Sequence, residues 1–308
     1  MAGPTASGKT ELSILAAETL GIPIISADSR QSYKGLSIGT AKPSIQEQQR
    51  VQHYNISVLE PEKADSTGLF QQRINSWRNN ELATCPLLFF AGGSTLYLES
   101  LIHPFDQIPP ANSENLAQLE QEANEEGLEH LFHRLQAVDR AYSERMDGLN
   151  RHRIFRALDV WMQTGKPFSH FHSGNTPIND NTIVFVLQRD RHELYKRIEQ
   201  RVDNMVEEGL MSELDNLLAQ GIPHSAPGLN TVGYKELIGY KNGDFSFDEA
   251  IRLIKRNTRR YAKRQMTWFK RWEFAKTLDL SAMSIEQGVQ TLTEAAKSLA
   301  PELDKRYL

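Results

Sequence analysis

The sequence predicts an α/β fold: a parallel sheet flanked by helices, with an inserted all-helical subdomain. Three observations carry this. A complete phosphate-binding loop, Gly3-Pro4-Thr5-Ala6-Ser7-Gly8-Lys9-Thr10, runs straight into a helical stretch, 11–20 (ELSILAAETL). Short apolar runs then alternate with helical ones, among them 85–91 (CPLLFFA), continuous as a strand buried on both faces must be. From 113 to 147 the chain is polar and helical, with no convincing strand.

The loop comes first. Glycines let its backbone wrap closely around phosphate oxygens, with successive N–H groups pointing inward and a helix N-terminus facing the anion. Lys9 supplies a point charge, and the Thr10 hydroxyl can ligate Mg²⁺. Only Met1 and Ala2 precede Gly3, so the strand that such a loop normally follows is either truncated or very short.

The stretch 22–28 (IPIISAD) reads as a strand ending in polar residues, 66–80 as a helix and 85–91 as a buried strand. Gly92-Gly93-Ser94 makes a tight loop, and a helix starts at Thr95. This is βαβ organisation, whose sites lie at the carboxyl ends of strands, where Asp28 and Ser94 sit. Pro104, Pro109 and Pro110 mark a boundary. A helix over 151–164 is stopped by Gly165-Lys166-Pro167, 169–181 reads as loop, and 182–188 (TIVFVLQ) returns as a core strand. A helical region over 191–219 has an expected break near Gly209, 221–230 is loop, and the rest is helical to about Lys276. The expected organisation is a P-loop NTPase-like core over 1–110 and 151–276, a helical insert over 111–150, and an accessory helix and tail over 277–308.

Bulk properties narrow the class. At 308 residues the chain can bury a large core. No apolar run approaches a membrane span, and no signal peptide is visible, so a cytoplasmic location is expected. Cys85 is the one cysteine, which excludes an internal disulfide and a cysteine zinc site. A net charge of −4 argues against nucleic acid, but the average misleads. In 251–271, Arg252, Arg256, Arg260 and Arg264 share a stripe at helical spacing, beside Lys255, Arg259 and Lys263. That pattern suits a polyanion partner, or a solvated helix face.

The segment 28–43 (DSRQSYKGLSIGTAKP) follows a strand and is rich in polar groups and glycine. A nucleoside triphosphatase wants a later strand ending in a metal-binding Asp. Here the strand ending at Ala91 runs into Gly92-Gly93-Ser94, which favours transfer over hydrolysis.

Together with the phosphate loop, this segment, 91–97 (AGGSTLY), 153–167 (RIFRALDVWMQTGKP), 231–237 (TVGYKEL) and 258–270 (TRRYAKRQMTWFK) closely resemble the bacterial tRNA dimethylallyltransferases, in order and over nearly the whole chain. The resemblance implies transfer of a dimethylallyl group from dimethylallyl diphosphate to N6 of adenosine 37, in tRNAs reading codons that start with U. It implies Lys9 and Thr10 on diphosphate and Mg²⁺, with Gly3, Thr5, Ala6, Ser7 and Gly8 completing the diphosphate loop. Asp28 matches the general base, Gln31 the contact to the flipped adenine, and Ser94 a channel threonine. Arg191, just after the strand 182–188, is the candidate for an arginine clamping diphosphate. tRNA contacts are implied at Asp28, Ser29, Arg30 and Gln31; at His152, Arg153 and Arg156; at Asn230, Gly233, Tyr234 and Lys235; and at Lys263, Arg264, Gln265, Trp268 and Lys270. The partners expected are the tRNA anticodon stem-loop and dimethylallyl diphosphate, with no membrane and a monomer by default.

The residue chemistry fits. An exocyclic adenine amine is a weak nucleophile, and a carboxylate within reach helps remove its proton as the N–C bond forms. Lys9, Mg²⁺ and loop N–H groups would stabilise the diphosphate leaving group. Plainer readings stand beside these. Asp28 could cap the next helix or hold Mg²⁺ through water. Arg153 and Arg156 could pair with Glu144 or Asp159, and Arg197 with Glu193. Tyr234, Trp268 and Phe269 could stack on bases; Trp268 and Phe269 could equally be core, which is the favoured reading for Phe269. Two substitutions depart from the family: 52–56 (QHYNI) keeps only one histidine, His53, of a double-histidine pattern, and Leu116 replaces a tRNA-contacting arginine. The rival readings are an adenylate kinase-like phosphotransferase using Arg191, Arg197 and Arg201, and an RNA-binding paralogue that has lost transfer.

Overall fold

The computed structural model describes residues 1–103, 108–171, 181–301 and 303. Pro104, most of the expected 169–181 loop and the last residues of the expected tail lie outside them. The chain divides into two compact units, 1–101 with 179–308, and 102–178.

The first unit is built on parallel strands. β1 (Ile24–Ala27) lies between β2 (His53–Tyr54) and β3 (Phe89–Gly92), and β4 (Phe185–Gln188) pairs with β5 (Lys276–Asp279). Ala2 joins the two groups, bridging in parallel to Gly92 and to Val186. Its N–H donates to Phe185 O at 2.7 Å, and its carbonyl accepts from Leu187 N at 2.8 Å. The strand ahead of the phosphate loop is therefore one bridging residue. That suffices, because a strand in mid-sheet needs only enough ladder bonds to bring its carboxyl end into line with its neighbours.

Helix α1 (Lys9–Leu20) starts where Gly8 takes φ 102°, and ends at Gly21 with φ 62°. Leu12, Ile14, Ala16, Ala17 and Leu20 bury it on several sides against the sheet and α13 (Ile285–Leu299). The 277–308 segment thus belongs to the main core, through Leu278, Leu280, Leu292 and Ala296. The helical region expected to run to about Lys276 ends at Phe269, and β5 opens the segment expected as accessory helix and tail. This strand is too short for periodicity to reveal, and it exists because its backbone completes the ladder of β4.

The helices α2 (Ile45–Arg50), α3 (Thr67–Asn79) and α4 (Thr95–Ile102) follow in the first half. α9 (Arg191–Glu207), α10 (Leu210–Ala219), α11 (Tyr234–Lys241) and α12 (Phe247–Phe269) follow in the second. The break between α9 and α10 falls at Gly209, φ 97°, as the sequence suggested.

The second unit is helical among its described residues: α5 (Ser113–Glu126), α6 (Leu128–Val138), α7 (Arg140–Ser143), α8 (Arg151–Thr164) and a 3₁₀ turn over Phe168–Phe171. It extends beyond the expected 111–150 because α8 carries half its core: Ile154, Phe155 and Leu158 pack with Leu119, Leu131 and Leu135. Each fully buried leucine there contributes about 1.5–3 kcal/mol, so α8 could not leave the unit cheaply. Leu116 is partly buried and packs against the same cluster.

Candidate active site

The carboxyl ends of β1, β3 and β4 converge on the phosphate loop. Arg189 follows β4 directly, and its side chain is only 9% exposed. Its Nε donates to Ser7 O at 3.2 Å, and its guanidinium pairs with Glu193, which also accepts from Ser281 Oγ at 2.9 Å. One face of α9 supplies two more arginines. Arg197 Nε donates to Ala6 O at 3.0 Å, and Arg201 Nη1 to Thr5 Oγ1 at 3.4 Å. They lie one helical turn apart, so both reach the loop.

Lys9 Nζ donates to Pro4 O at 2.7 Å. Burial and then the Arg201 charge lower its ammonium to about 7, with Asp28 pulling it partly back. Burial and Arg197 likewise lower the Arg201 guanidinium, again opposed by Asp28. Asp28 is thus the carboxylate whose charge acts on this cation cluster. Its Oδ1 also accepts from Arg30 N at 2.9 Å and Gln31 N at 3.4 Å, so it starts the next turn as well. No helix begins there, so Asp28 holds a turn and does not cap a helix. Tyr261 lies close by; burial and Asp28 push its phenol well above the ordinary value.

Ser94 Oγ accepts from Ser29 N at 2.8 Å and donates to Ser29 Oγ at 3.1 Å, pinning the loop after β3 to the turn after β1. Gln31 Oε1 accepts from Ser26 Oγ at 3.0 Å, and its Nε2 donates to Ala41 O at 3.0 Å. Ser7 is fully buried and its Oγ has no partner, an orphaned donor beneath the loop.

Thr10 lies in the first turn of α1 and is partly exposed. Among the described residues no group of three His, Cys, Asp or Glu side chains could hold a metal ion alone. A phosphate-bound Mg²⁺ does not need one: it takes one or two protein oxygens, phosphate oxygens and water, and the Thr10 hydroxyl beside Lys9 fits that donor set.

Several expectations need correction. Arg191 does not reach the loop. It is exposed, with its guanidinium carbon 5.2 Å from the Tyr195 ring centre and Nε donating to Tyr195 Oη at 3.2 Å. As the first residue of α9 it falls off the face that carries Arg197 and Arg201. Gln265 is 2% exposed: Oε1 accepts from Thr5 N at 2.9 Å and Nε2 donates to Gly93 O at 2.8 Å, so it serves the loop rather than a surface. Tyr234 is fully buried, with its hydroxyl donating to Glu213. Gly233 is buried too, its N–H donating to Glu236 Oε2 at 2.8 Å. Arg156 pairs with Asp159 at 2.7 Å and donates to Pro109 O, within the second unit.

The remaining positions are accessible. Asn230, Lys235, Lys263, Arg264 and Lys270 are exposed in the first unit, and His152 and Arg153 in the second. Arg30 Nη1 donates to Pro227 O at 3.3 Å. Trp268 is half-buried: Nε1 donates to Glu99 Oε2 at 3.2 Å, and the Arg271 guanidinium carbon lies 4.8 Å from its ring centre. Phe269 is core, as favoured. The basic stripe on α12 divides. Lys255 pairs with Asp203, Arg259 with Glu199 and Arg252 with Glu249, while Arg260, Lys263 and Arg264 stay exposed. Sequence reasoning missed Arg189, although its place at a strand end was the signal that could have found it.

Fold and site together define a phosphate-loop protein with an α/β core and a helical second unit. A family model described as IPP transferase matches residues 31–272, and the chain belongs to that family. It is 41% identical over 272 residues to the tRNA dimethylallyltransferase of Salinibacter ruber, covering 88% of this chain and 84% of that one. It is also 41% identical over 282 residues to the tRNA dimethylallyltransferase of Alkaliphilus oremlandii, covering 91% and 90%. Among solved structures, the tRNA isopentenylpyrophosphate transferase of Bacillus halodurans superposes with a TM-score of 0.70 at 33% identity, over 99% of this chain and 97% of that one. A eukaryotic dimethylallyltransferase shares the fold, with a TM-score of 0.80 at 22% identity, over 99% of this chain and 78% of that one.

Proposed function

We propose that the chain transfers the dimethylallyl group of dimethylallyl diphosphate to N6 of adenosine 37, in tRNAs reading codons that start with U, releasing diphosphate. Family membership makes it an enzyme of prenyl transfer to adenosine 37 of tRNA. The observation that carries the residue-level reading is that the Asp28 charge acts on both Lys9 and Arg201, while Arg201 donates to Thr5 of the phosphate loop. A base for the amine and cations for the leaving group then share one site, as an in-line displacement at the allylic carbon requires.

In this reading Lys9, Arg201 and the loop N–H groups hold the diphosphate, and Asp28 takes the N6 proton. Thr10 would hold Mg²⁺, which supplies further charge neutralisation of the departing diphosphate. Ser94 fixes the turn bearing Asp28 and Gln31. The exposed Arg260, Lys263, Arg264 and Lys270 suit phosphates of the anticodon stem-loop, as do His152 and Arg153. No helix among the described residues is long and apolar enough to cross a membrane.

The test is transfer of labelled dimethylallyl diphosphate to an unmodified anticodon stem-loop carrying A36-A37-A38, with Mg²⁺. Label on N6 of the central adenine, lost by about 10²-fold or more in Asp28→Ala, is expected. A folded protein that binds the stem-loop and transfers nothing would overturn the reading.

A further inference from the structure

Glu213, on α10, sits in no motif of the phosphate loop or the basic helix, yet it gathers an unusual set of donors. Its carboxylate accepts from Ser37 N at 2.7 Å, Ile38 N at 2.8 Å and Gly39 N at 3.0 Å. It also accepts from the Tyr234 hydroxyl. Successive N–H groups converging on one carboxylate form an anion nest, here filled by the protein's own side chain. Such charge-assisted bonds are roughly twice as strong as neutral ones.

The clamp adds to an apolar anchor, since Leu36 is buried with Leu210, Leu214 and Leu217 of α10 and Ile38 packs against the same cluster. A groove of about 380 Å³, lined by Gly35, Ile38, Ser212 and Glu213 among others, runs between the loop and α10. Under Gly39 the fit is tight: a Cβ there would come within 2.6 Å of the Tyr234 ring, so only glycine lets the loop lie on that ring. At the other end, Lys42 Nζ donates to Tyr33 O and to Ser57 Oγ at 2.9 Å.

What the clamped loop presents is a pair of carbonyls. Thr40 O and Ala41 O accept from Gln31 Nε2 at 3.4 and 3.0 Å, while Gln31 Oε1 accepts from Ser26 Oγ at 3.0 Å. Both sides of the Gln31 amide are therefore assigned. The carbonyls make one edge the donor, and the serine hydroxyl makes the other the acceptor. Both donors face the loop carbonyls and one lone pair on Oε1 remains; releasing the longer bond, to Thr40 O, frees an N–H beside that lone pair, the combination that reads an adenine edge bidentately.

We propose that Glu213 is a positioning residue for acceptor-base recognition, acting through the 37–41 loop to hold the Gln31 amide in its adenine-reading orientation, with Tyr234 as its support. This rests on the reading of Gln31 as the contact to the target base.

The experiment is a double-mutant cycle in the stem-loop transfer assay, with wild type, Gln31→Ala, Glu213→Gln and the double variant; Tyr234→Phe is a milder probe that keeps the ring on Gly39. Glu213→Gln is expected to lower kcat/KM for the stem-loop about tenfold and leave KM for dimethylallyl diphosphate unchanged. It should also relax discrimination between adenosine and inosine at the target position in stem-loop binding, the readout used because inosine has no N6 amine to prenylate. The double variant should equal Gln31→Ala alone, because residues acting through one another are not additive. Additive losses, or intact base discrimination in a variant that melts early, would make Glu213 a stability residue only and overturn the proposal. A wild-type protein without transfer would overturn the functional reading and this proposal together. Transfer by wild type with an unaffected Glu213→Gln would overturn this proposal alone.

Discussion

Gln265 and Thr5 lie 260 positions apart, yet the Gln265 side-chain oxygen accepts the Thr5 N–H at 2.9 Å. The same amide donates to Gly93 O at 2.8 Å. One buried side chain from the basic helix thus ties the phosphate loop to the glycine loop after β3. Phosphate-loop architecture here depends on the helix that carries the exposed cations.

Replacing Gln265 by Leu would strand the Thr5 donor and the Gly93 carbonyl. Each buried unsatisfied group costs about 1–3 kcal/mol, so urea denaturation should show a loss of that order. KM for dimethylallyl diphosphate should rise. The salt slope of stem-loop binding should not move, whereas a surface contact to phosphate would change it.

The arginines sort by geometry. Arg201→Ala should raise KM for dimethylallyl diphosphate about tenfold or more, since a charge-assisted bond contributes about 1.5–3 kcal/mol. Arg191→Ala should leave it within about twofold, as expected for an exposed side chain stacked on Tyr195. Equal losses in steady-state kinetics would restore Arg191 to the site.

Lys9 makes donor binding pH-dependent. Its ammonium titrates at about 7 in the free protein. A bound diphosphate raises that value, so above pH 7 binding must take up a proton and affinity must fall, by up to about tenfold per pH unit. Calorimetry at pH 8 in buffers of different ionisation enthalpy should show net proton uptake, and Lys9→Met should abolish it. Uptake that survives in the variant would assign the proton elsewhere.

Only part of the α12 stripe should sense RNA. Neutralising Lys263 or Arg264 should lower the salt slope of stem-loop binding by about one each. Neutralising Lys255 or Arg259 should not, because Asp203 and Glu199 already pair with them. Equal slopes for all four variants would show that these surface pairs open on binding.

Much of this protein was determined by local sequence. The phosphate loop, the helix after it, the break at Gly209 and the strand ends at Asp28 and Ser94 are short-range features, set by backbone conformations that few residues allow. The ordered motifs sufficed for family and chemistry. What tertiary structure alone decided is which polar side chains face the site. Arg191 and Arg201 are indistinguishable by composition, but only one lies on the helix face turned to the loop. Gln265 and Tyr234 lie in motifs that suggest RNA contact, yet both are buried against distant backbone or carboxylate partners. Strand β5 and the inclusion of α8 in the second unit depend on ladders and cores assembled from separated segments. Helical and strand periods are encoded between near neighbours, whereas the partner of a buried polar group is settled only when remote segments exclude water together.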